Sequence, residues 1–210
     1  MRCCGLRAAR IPGSRRPSSS TRRTAKRAER PGRRRGFRWR LAFGLTIVIG
    51  GLAVATAHWF IWPPQQAAPA HVDAIVMLNG PGNRLDTALN LAWAHRAPMI
   101  VISRGSEYWG HGSVCAPRIR EVKVICFDPS PPTTRGEEEF AARLDKRYHW
   151  HSIILVAITP QDTPARIWAG RCFSGKTYMV NASLPTADWP YQVVYQWGST
   201  IKAFFQQRSC

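Results

Sequence analysis

The feature that most constrains this chain is a run of 22 residues without a charged side chain, LAFGLTIVIGGLAVATAHWFIW, at 41–62. A helix of that length, at about 1.5 Å per residue, reaches across the ~30 Å hydrocarbon core of a bilayer. Trp39 precedes the run, and Trp59 and Trp62 lie at its end, as is typical of side chains at the two membrane interfaces. The run predicts a single transmembrane helix that separates an N-terminal arm from a C-terminal domain.

The arm before the run is strongly basic. Residues 1–40 contain 15 of the 30 Lys and Arg residues and one acidic residue, Glu29, so that the remainder of the chain carries a formal charge of only +4. Because Pro, Ser and Gly separate these charges and large apolar residues are few, the arm is predicted to be disordered. The positive-inside rule places it in the cytoplasm and the C-terminal domain outside the plasma membrane.

The expected partners follow from this distribution of charge. The helix at 41–62 is expected to contact membrane lipids, and the basic arm is expected to lie on the anionic cytoplasmic leaflet. Nucleic acid is not an expected partner, because the domain itself has an ordinary balance of charges.

Two alternatives to a membrane anchor are a buried core helix and a cleavable export signal. A core helix is usually shorter or has a polar face. The export signal would use RRRGFRW (33–39) as a twin-arginine-like region and ATA (55–57) as a cleavage site. The uncleaved anchor is favoured because the apolar run continues past Ala57, and a signal would export the domain as well.

The cysteines fit an exported domain. Cys115, Cys126, Cys172 and Cys210 follow the apolar run and allow three pairings in an oxidising compartment. The pairing of Cys115 with Cys126 is preferred, because the segment between them can fold back before a strand. Cys3 and Cys4 lie in the arm, where free thiols are expected and lipidation is the alternative. No metal site is expected, since CxxC and HxxxH spacings are absent from the sequence.

The part after the run alternates between strand and helix patterns. Short β-branched segments that are apolar on both faces are typical of a parallel sheet, and the segments between them have apolar residues at helical spacing. The sequence thus predicts a linker at 63–70 and one Rossmann-like α/β domain at 71–210, with a doubly wound, mainly parallel sheet. The predicted strands are 73–78, 99–103, 122–127, 153–158 and 177–183, and the predicted helices are 84–96, 133–148 and 191–207.

Ligands bind such sheets at the carboxyl ends of the strands. After the first strand comes NGPGNR (79–84), in which Gly80 and Gly82 let the backbone approach an anion and Arg84 adds a positive charge. The second strand ends at Ser103, which is followed by Arg and Gly. A tight turn without a ligand is the alternative at both positions.

The third strand is followed by a predicted helix start with capping-box spacing, Thr134 and Glu137. Arg135 then lies at the positive end of the helix dipole, where a compensating anion is expected. That anion is either a neighbouring glutamate or a ligand.

The fourth strand is followed by a helix that Thr163 is predicted to cap, with Pro164 in its first position. Arg166 lies in the first turn of this helix, so its positive charge, like that of Arg135, lies at the positive end of a helix dipole. Together the two arginines favour an anionic ligand.

Four segments resemble the YdcF-like family, which includes SanA-like and ElyC-like proteins, and are most similar to its actinobacterial type. They are LNGPGNRLDTAL, IVISRG, CFDPSPPTTRGEEE and ILVAITPQDTPARIWAGRCF. The resemblance implies a Rossmann-like domain behind a membrane anchor and a role in cell-wall biogenesis or envelope integrity. Residues that match family positions are Arg84, Ser103, Thr134, Glu137 and Arg166.

The chain also departs from the family pattern after the fourth strand. Ala157 and Ile158 stand where the family has Thr and Ser, Gln161 stands where many members have His, and Pro164 replaces an Arg. Gln161 cannot take up a proton near neutral pH, so the expected general base of this turn is missing.

The expected function is therefore binding of an anionic, phosphate-bearing envelope precursor or nucleotide-like ligand. The alternative is an enzyme acting on a phosphate-bearing or lipid-carrier substrate, with Glu137 as its acid or base. The sequence identifies no cofactor.

Overall fold

A computed structural model describes residues 32–104, 115 and 118–210, with side chains from residue 37 onward. Helix α1 (Gly32–Thr56) continues into one turn of π-helix, Ala57–Ile61. The prediction of disorder is wrong for residues 32–40, which begin α1, and residues 1–31 of the arm lie outside the described residues. Between Phe37 and Ile61 the helix has a mean hydropathy of 1.8 and is long and apolar enough to cross a membrane.

The sheet contains five parallel strands in the order β3-β2-β1-β4-β5. Its central strand, β1, pairs Ile75 with Ile100 of β2 on one side and with Ile154 of β4 on the other. The order reverses direction between β1 and β4, as in Rossmann-like folds. The strands are β1 (Ala74–Met77), β2 (Met99–Ser103), β3 (Lys123–Phe127), β4 (Ser152–Ile158) and β5 (Lys176–Ala182).

Helices cover both faces of this sheet, because the central strands β1, β2 and β4 are buried and apolar at nearly every position and present alternate residues to opposite sides. Ile75 and Met77 of β1 belong to one core, and Ala74 and Val76 belong to the other. Helix α2 (Arg84–Trp93) packs on the first core, and helices α3 (Thr134–Tyr148) and α4 (Asp162–Cys172) pack on the second. These observations confirm the predicted Rossmann-like α/β fold.

The chain after α1 contacts the domain, and residues Leu45–Cys210 form one compact unit. Phe60 is completely buried, and its ring centroid lies 5.1 Å from that of Trp197 in the last helix, α5 (Trp189–Phe205). The Thr163 hydroxyl donates a hydrogen bond to the carbonyl of Trp59. Thr163 therefore does not cap α4, which begins at Asp162 and has Pro164 as its third residue.

The predicted linker at 63–70 is hydrogen-bonded to the domain along its length. Arg166 Nη2 donates to the Pro64 carbonyl over 3.1 Å, and Gln65 Nε2 donates to Asp162 Oδ2 over 2.8 Å. Arg96 donates to the carbonyls of residues 68, 69 and 70. The segment is therefore part of the folded unit.

Two disulfides close loops in the domain. Cys115 pairs with Cys126, as predicted, over a sequence separation of 11 residues. Cys172 pairs with Cys210 over a separation of 38 residues, which include β5 and α5. Both bonds are consistent with folding in an oxidising compartment.

We expect the longer loop to contribute more stability, because a cross-link removes more entropy from an unfolded chain when its loop is longer. Replacing Cys172 and Cys210 with Ala should lower the free energy of unfolding by about 4 kcal/mol, against about 3 kcal/mol for Cys115 and Cys126. Denaturant unfolding of the full chain in detergent measures both values. The control is the replacement of Cys3 and Cys4 with Ala. A larger loss of unfolding free energy on removal of the Cys115–Cys126 disulfide would contradict the expectation.

Candidate functional site

A cavity of about 360 Å³ lies at the carboxyl ends of β1 and β4, where the order of the strands reverses. This is the position at which open α/β sheets bind their ligands. The loops after β1, β3 and β4 and the first half of α5 form its wall. Its lining residues are Asn79, Gly80, Pro81, Arg84, Pro129, Pro132, Thr133, Thr134, Glu137, Gln161, Tyr191, Gln192, Tyr195 and Gln196.

The turn after β1 wraps around the buried side chain of Arg84. The Nη1 atom of Arg84 donates to the carbonyls of Leu78 and Asn79 over 3.2 and 2.6 Å. Its Nε atom donates to the Pro81 carbonyl over 2.9 Å. Gly80 has φ of +137°, and a Cβ atom there would lie only 2.6 Å from Arg84 Nη2. The turn requires glycine for both reasons.

Arg84 also connects this turn to the residue after β4. Its Nη1 atom donates to Gln161 Oε1 over 2.6 Å, and Gln161 Nε2 in turn donates to the Thr134 hydroxyl over 3.0 Å. Gln161, which stands where the resemblance implies His, thus joins the turn after β1 to the start of α3. A neutral amide can fill this role because it donates and accepts at once.

Glu137 contacts the turn after β1 and does not form the predicted capping box. The N-cap of α3 is Thr133, whose side chain accepts from the N–H of Gly136. Glu137 Oε1 accepts from the N–H of Asn79 over 2.6 Å. Glu137 also lines the cavity, and its carboxyl group ties α3 to the turn after β1.

Burial raises the pKa of Glu137 to about 7, even though the Ser103 hydroxyl, the Asn79 N–H and the charge of Arg84 lower it. Ser103 Oγ itself forms no hydrogen bond of normal geometry. The next residue, Glu138, is also buried, and desolvation and the charge of Glu137 raise its pKa well above the usual range. Glu137 is the one carboxyl group among the described residues that line the cavity.

Some of the predicted site residues meet at this cavity. Gly80, Arg84, Thr134 and Glu137 line it. Ser103 lies behind the lining, where its hydroxyl affects Glu137.

Three other predicted residues lie outside the cavity lining. Gly82 packs against the carbonyl of Ser183, which a Cβ atom would approach too closely. Arg135 pairs with Glu139 at 2.6 Å, and Arg166 pairs with Asp162, so carboxylates of their own helices neutralise both. The conflict with the helix dipoles is resolved within the chain, and neither arginine lines the cavity.

The sequence interpretation did not include the contribution of α5 to the site. Tyr191, Gln192, Tyr195 and Gln196 line the cavity, and Gln196 Oε1 is buried there without a hydrogen-bond partner. The available signal was the spacing of Gln192, Gln196 and Thr200, which places three polar side chains on one face of a helix. Their buried position became clear only from the structure.

No group of three or more His, Cys, Asp and Glu side chains is placed to hold a metal ion within the part of the chain that the structure describes.

Comparison with known proteins does not assign a family. No family model and no curated protein matches the chain. One solved structure that it resembles is glycinamide ribonucleotide transformylase 1 from Symbiobacterium toebii, at 16% identity and a TM-score of 0.27. The likeness covers 44% of this chain and 44% of that one, so this chain spans less than half the length of its structural neighbour.

We expect the substitution Glu137→Gln to stabilise the fold at high pH. The pKa of Glu137 is higher in the folded chain, at about 7, than the ordinary value of 4.5 for a glutamate, so its ionisation costs folding free energy. The stability that the protonated carboxyl contributes is fully present below the pKa of the unfolded chain and is lost as pH rises through the pKa of the folded chain. Above a pH of about 7 the free energy of unfolding of the variant should therefore exceed that of the parent chain by about 3 kcal/mol.

Denaturant unfolding of both chains across this pH range measures the difference. The conservative variant Asp145→Asn, at the far end of α3, is the control for the loss of one acidic group. Equal pH profiles for the Glu137→Gln chain and its parent would contradict the raised pKa.

Proposed function

We propose that this chain is a membrane-anchored protein of the cell envelope whose exported domain binds a phosphate-bearing ligand. The observation that carries the proposal is the cavity at the strand-order reversal, with the Arg84 guanidinium beneath the turn that lines it. An envelope precursor or a nucleotide-like molecule is the proposed class of ligand. The role of the protein is in cell-wall biogenesis or envelope integrity.

Two features of the cavity favour an anion. The N-terminal ends of α2 and α3 both reach it, through Arg84 and Thr134, and helix N-termini attract negative charge. Arg84 adds a full positive charge in a buried setting, where electrostatic interactions are stronger than in water. Glu137 does not oppose an anion while it is protonated, which is its state below a pH of about 7.

The proposed location is the plasma membrane, with a single span, a cytoplasmic N-terminus and the domain outside. The apolar helix supports a span by its length and composition. The positive residues of 1–40 support the orientation, and the two disulfides support a domain that folds outside the reducing cytoplasm.

A second candidate function is catalysis on the same ligand, and the pKa of Glu137 favours it. A carboxyl group with a pKa of about 7 exchanges its proton near neutral pH, which is the property of a general acid or base. Glu137 lines the cavity, so the carboxyl group is within reach of a bound molecule. Proton transfer to or from a phosphate-bearing substrate is the reaction step that it would perform.

Substitutions inside and outside the cavity test the binding site, with pyrophosphate as the probe. Thr134→Val removes a hydroxyl that lines the cavity while preserving the shape of the side chain. We expect it to weaken binding about fivefold, the effect of one hydrogen bond of about 1 kcal/mol. Isothermal titration calorimetry of the full chain in detergent measures this.

Arg166→Gln is the matched control, because Arg166 pairs with Asp162 away from the cavity. It should bind pyrophosphate as the parent chain does. If Arg166→Gln loses binding and Thr134→Val does not, the anion site lies outside the cavity. If the parent chain does not bind pyrophosphate, the proposed anion site is overturned.

The substitution Glu137→Gln separates binding from catalysis. Mass spectrometry of small molecules that co-purify with the full chain identifies the ligand, and incubation with it shows whether it is converted. If the chain is an enzyme, Glu137→Gln should retain the ligand and lose at least about 100-fold in turnover. If turnover is unchanged in this variant, Glu137 is not part of the mechanism. If the parent chain retains the ligand without converting it, binding is the function.

A further inference from the structure

The polarity of α5 is the reverse of that of an ordinary helix at the surface of a folded domain. Its buried side chains are mostly polar, and its exposed side chains are mostly large and apolar. The buried set is Gln192, Gln196, Thr200 and Ala203. The exposed set, here called the outer face of α5, is Tyr191, Val194, Tyr195, Ile201, Phe204 and Phe205.

This outer face concentrates the exposed apolar surface of the domain. Among the described residues from 63 onward, the large apolar side chains that are exposed are these six and Trp93. Val194 and Phe205 are each 72% exposed. Contiguous apolar surface of this kind marks a contact with another molecule or with a membrane.

The end of the apolar span fixes where α5 lies. Trp197 Nε1 donates to Thr56 Oγ1 over 3.0 Å, and the Trp197 ring lies 5.5 Å from that of Trp59. Thr56 precedes the end of the span, Ile61, by five residues, or about 7 Å along a helix. In a chain that spans the bilayer, Trp197 is therefore held at the depth of the membrane interface.

We propose that the outer face of α5 lies on the lipid bilayer, as an interfacial helix on the side of the membrane that the domain occupies. The inference rests on the proposed membrane anchor and adds a second contact with lipid. An apolar face flanked by cations is typical of interfacial helices. Lys202 is exposed on α5 and Arg208 is exposed just beyond it, which places positive charge beside the apolar face for anionic head groups.

The same contact brings the cavity to the membrane surface. Tyr191 and Tyr195 belong both to the cavity lining and to the outer face of α5. Tyrosine is enriched where one end of a side chain meets lipid and the other meets water. The mouth of the cavity thus lies beside the lipid surface, where it receives the polar head of an amphiphile in the membrane.

Photo-cross-linking of the full chain in vesicles of phosphatidylcholine and phosphatidylglycerol tests this contact. The photoreactive residue p-benzoylphenylalanine replaces Val194, Ile201 or Phe205 in turn, and mass spectrometry measures lipid adducts. We expect at least about tenfold more adduct at these positions than at Lys146. Lys146 is an exposed residue in the last turn of α3 and does not belong to the outer face of α5.

The same residue at Ile49, within the span, separates failure of the inference from failure of the anchor. Lipid adduct at Ile49 without adduct on α5 overturns the interfacial helix and leaves the anchor intact. No adduct at Ile49 overturns the anchor, and the inference with it. Cross-links from α5 to a second copy of the chain in place of lipid also overturn the inference, because that copy would then cover the outer face.

Discussion

The buried guanidinium of Arg84 is the constraint on which the rest of the site depends. A buried cation must be surrounded by hydrogen-bond acceptors, and this one draws the carbonyls of Leu78, Asn79 and Pro81 inward. With its carbonyl turned to Arg84, Asn79 directs its N–H toward Glu137. One side chain thus determines the path of the turn, the need for glycine at position 80 and the placement of the carboxyl group.

Arg84 and Glu137 also influence each other electrostatically. The positive charge lowers the pKa of Glu137, and desolvation raises it by more, so the carboxyl group titrates near neutrality. At the same cavity wall Gln161 links Arg84 to Thr134 without carrying a charge. The site therefore contains one permanent cation and one group whose charge depends on pH, which is a suitable combination for the proposed anionic ligand.

The sequence predicted the sheet well, because β-branched runs buried on both faces have few other interpretations. Of the residues that it predicted for a ligand site, Gly80, Arg84, Thr134 and Glu137 line one cavity, and their role in binding stays a prediction. The sequence could not show whether Glu137 caps its own helix or contacts another element, because residue spacing predicts only contacts within a helix. For the same reason Arg135 and Arg166 were expected at the ligand, although each pairs with a carboxylate four residues away in its own helix.

The hydrogen bonds that hold residues 63–70 to the domain have a mechanical consequence. A flexible tether of eight residues would let the domain drift over roughly 15 Å. Bound by Arg96, Arg166 and Asp162, the segment has no such slack. For a chain anchored as proposed, the domain then cannot drift away from the end of the span, and the cavity keeps a constant distance from that end.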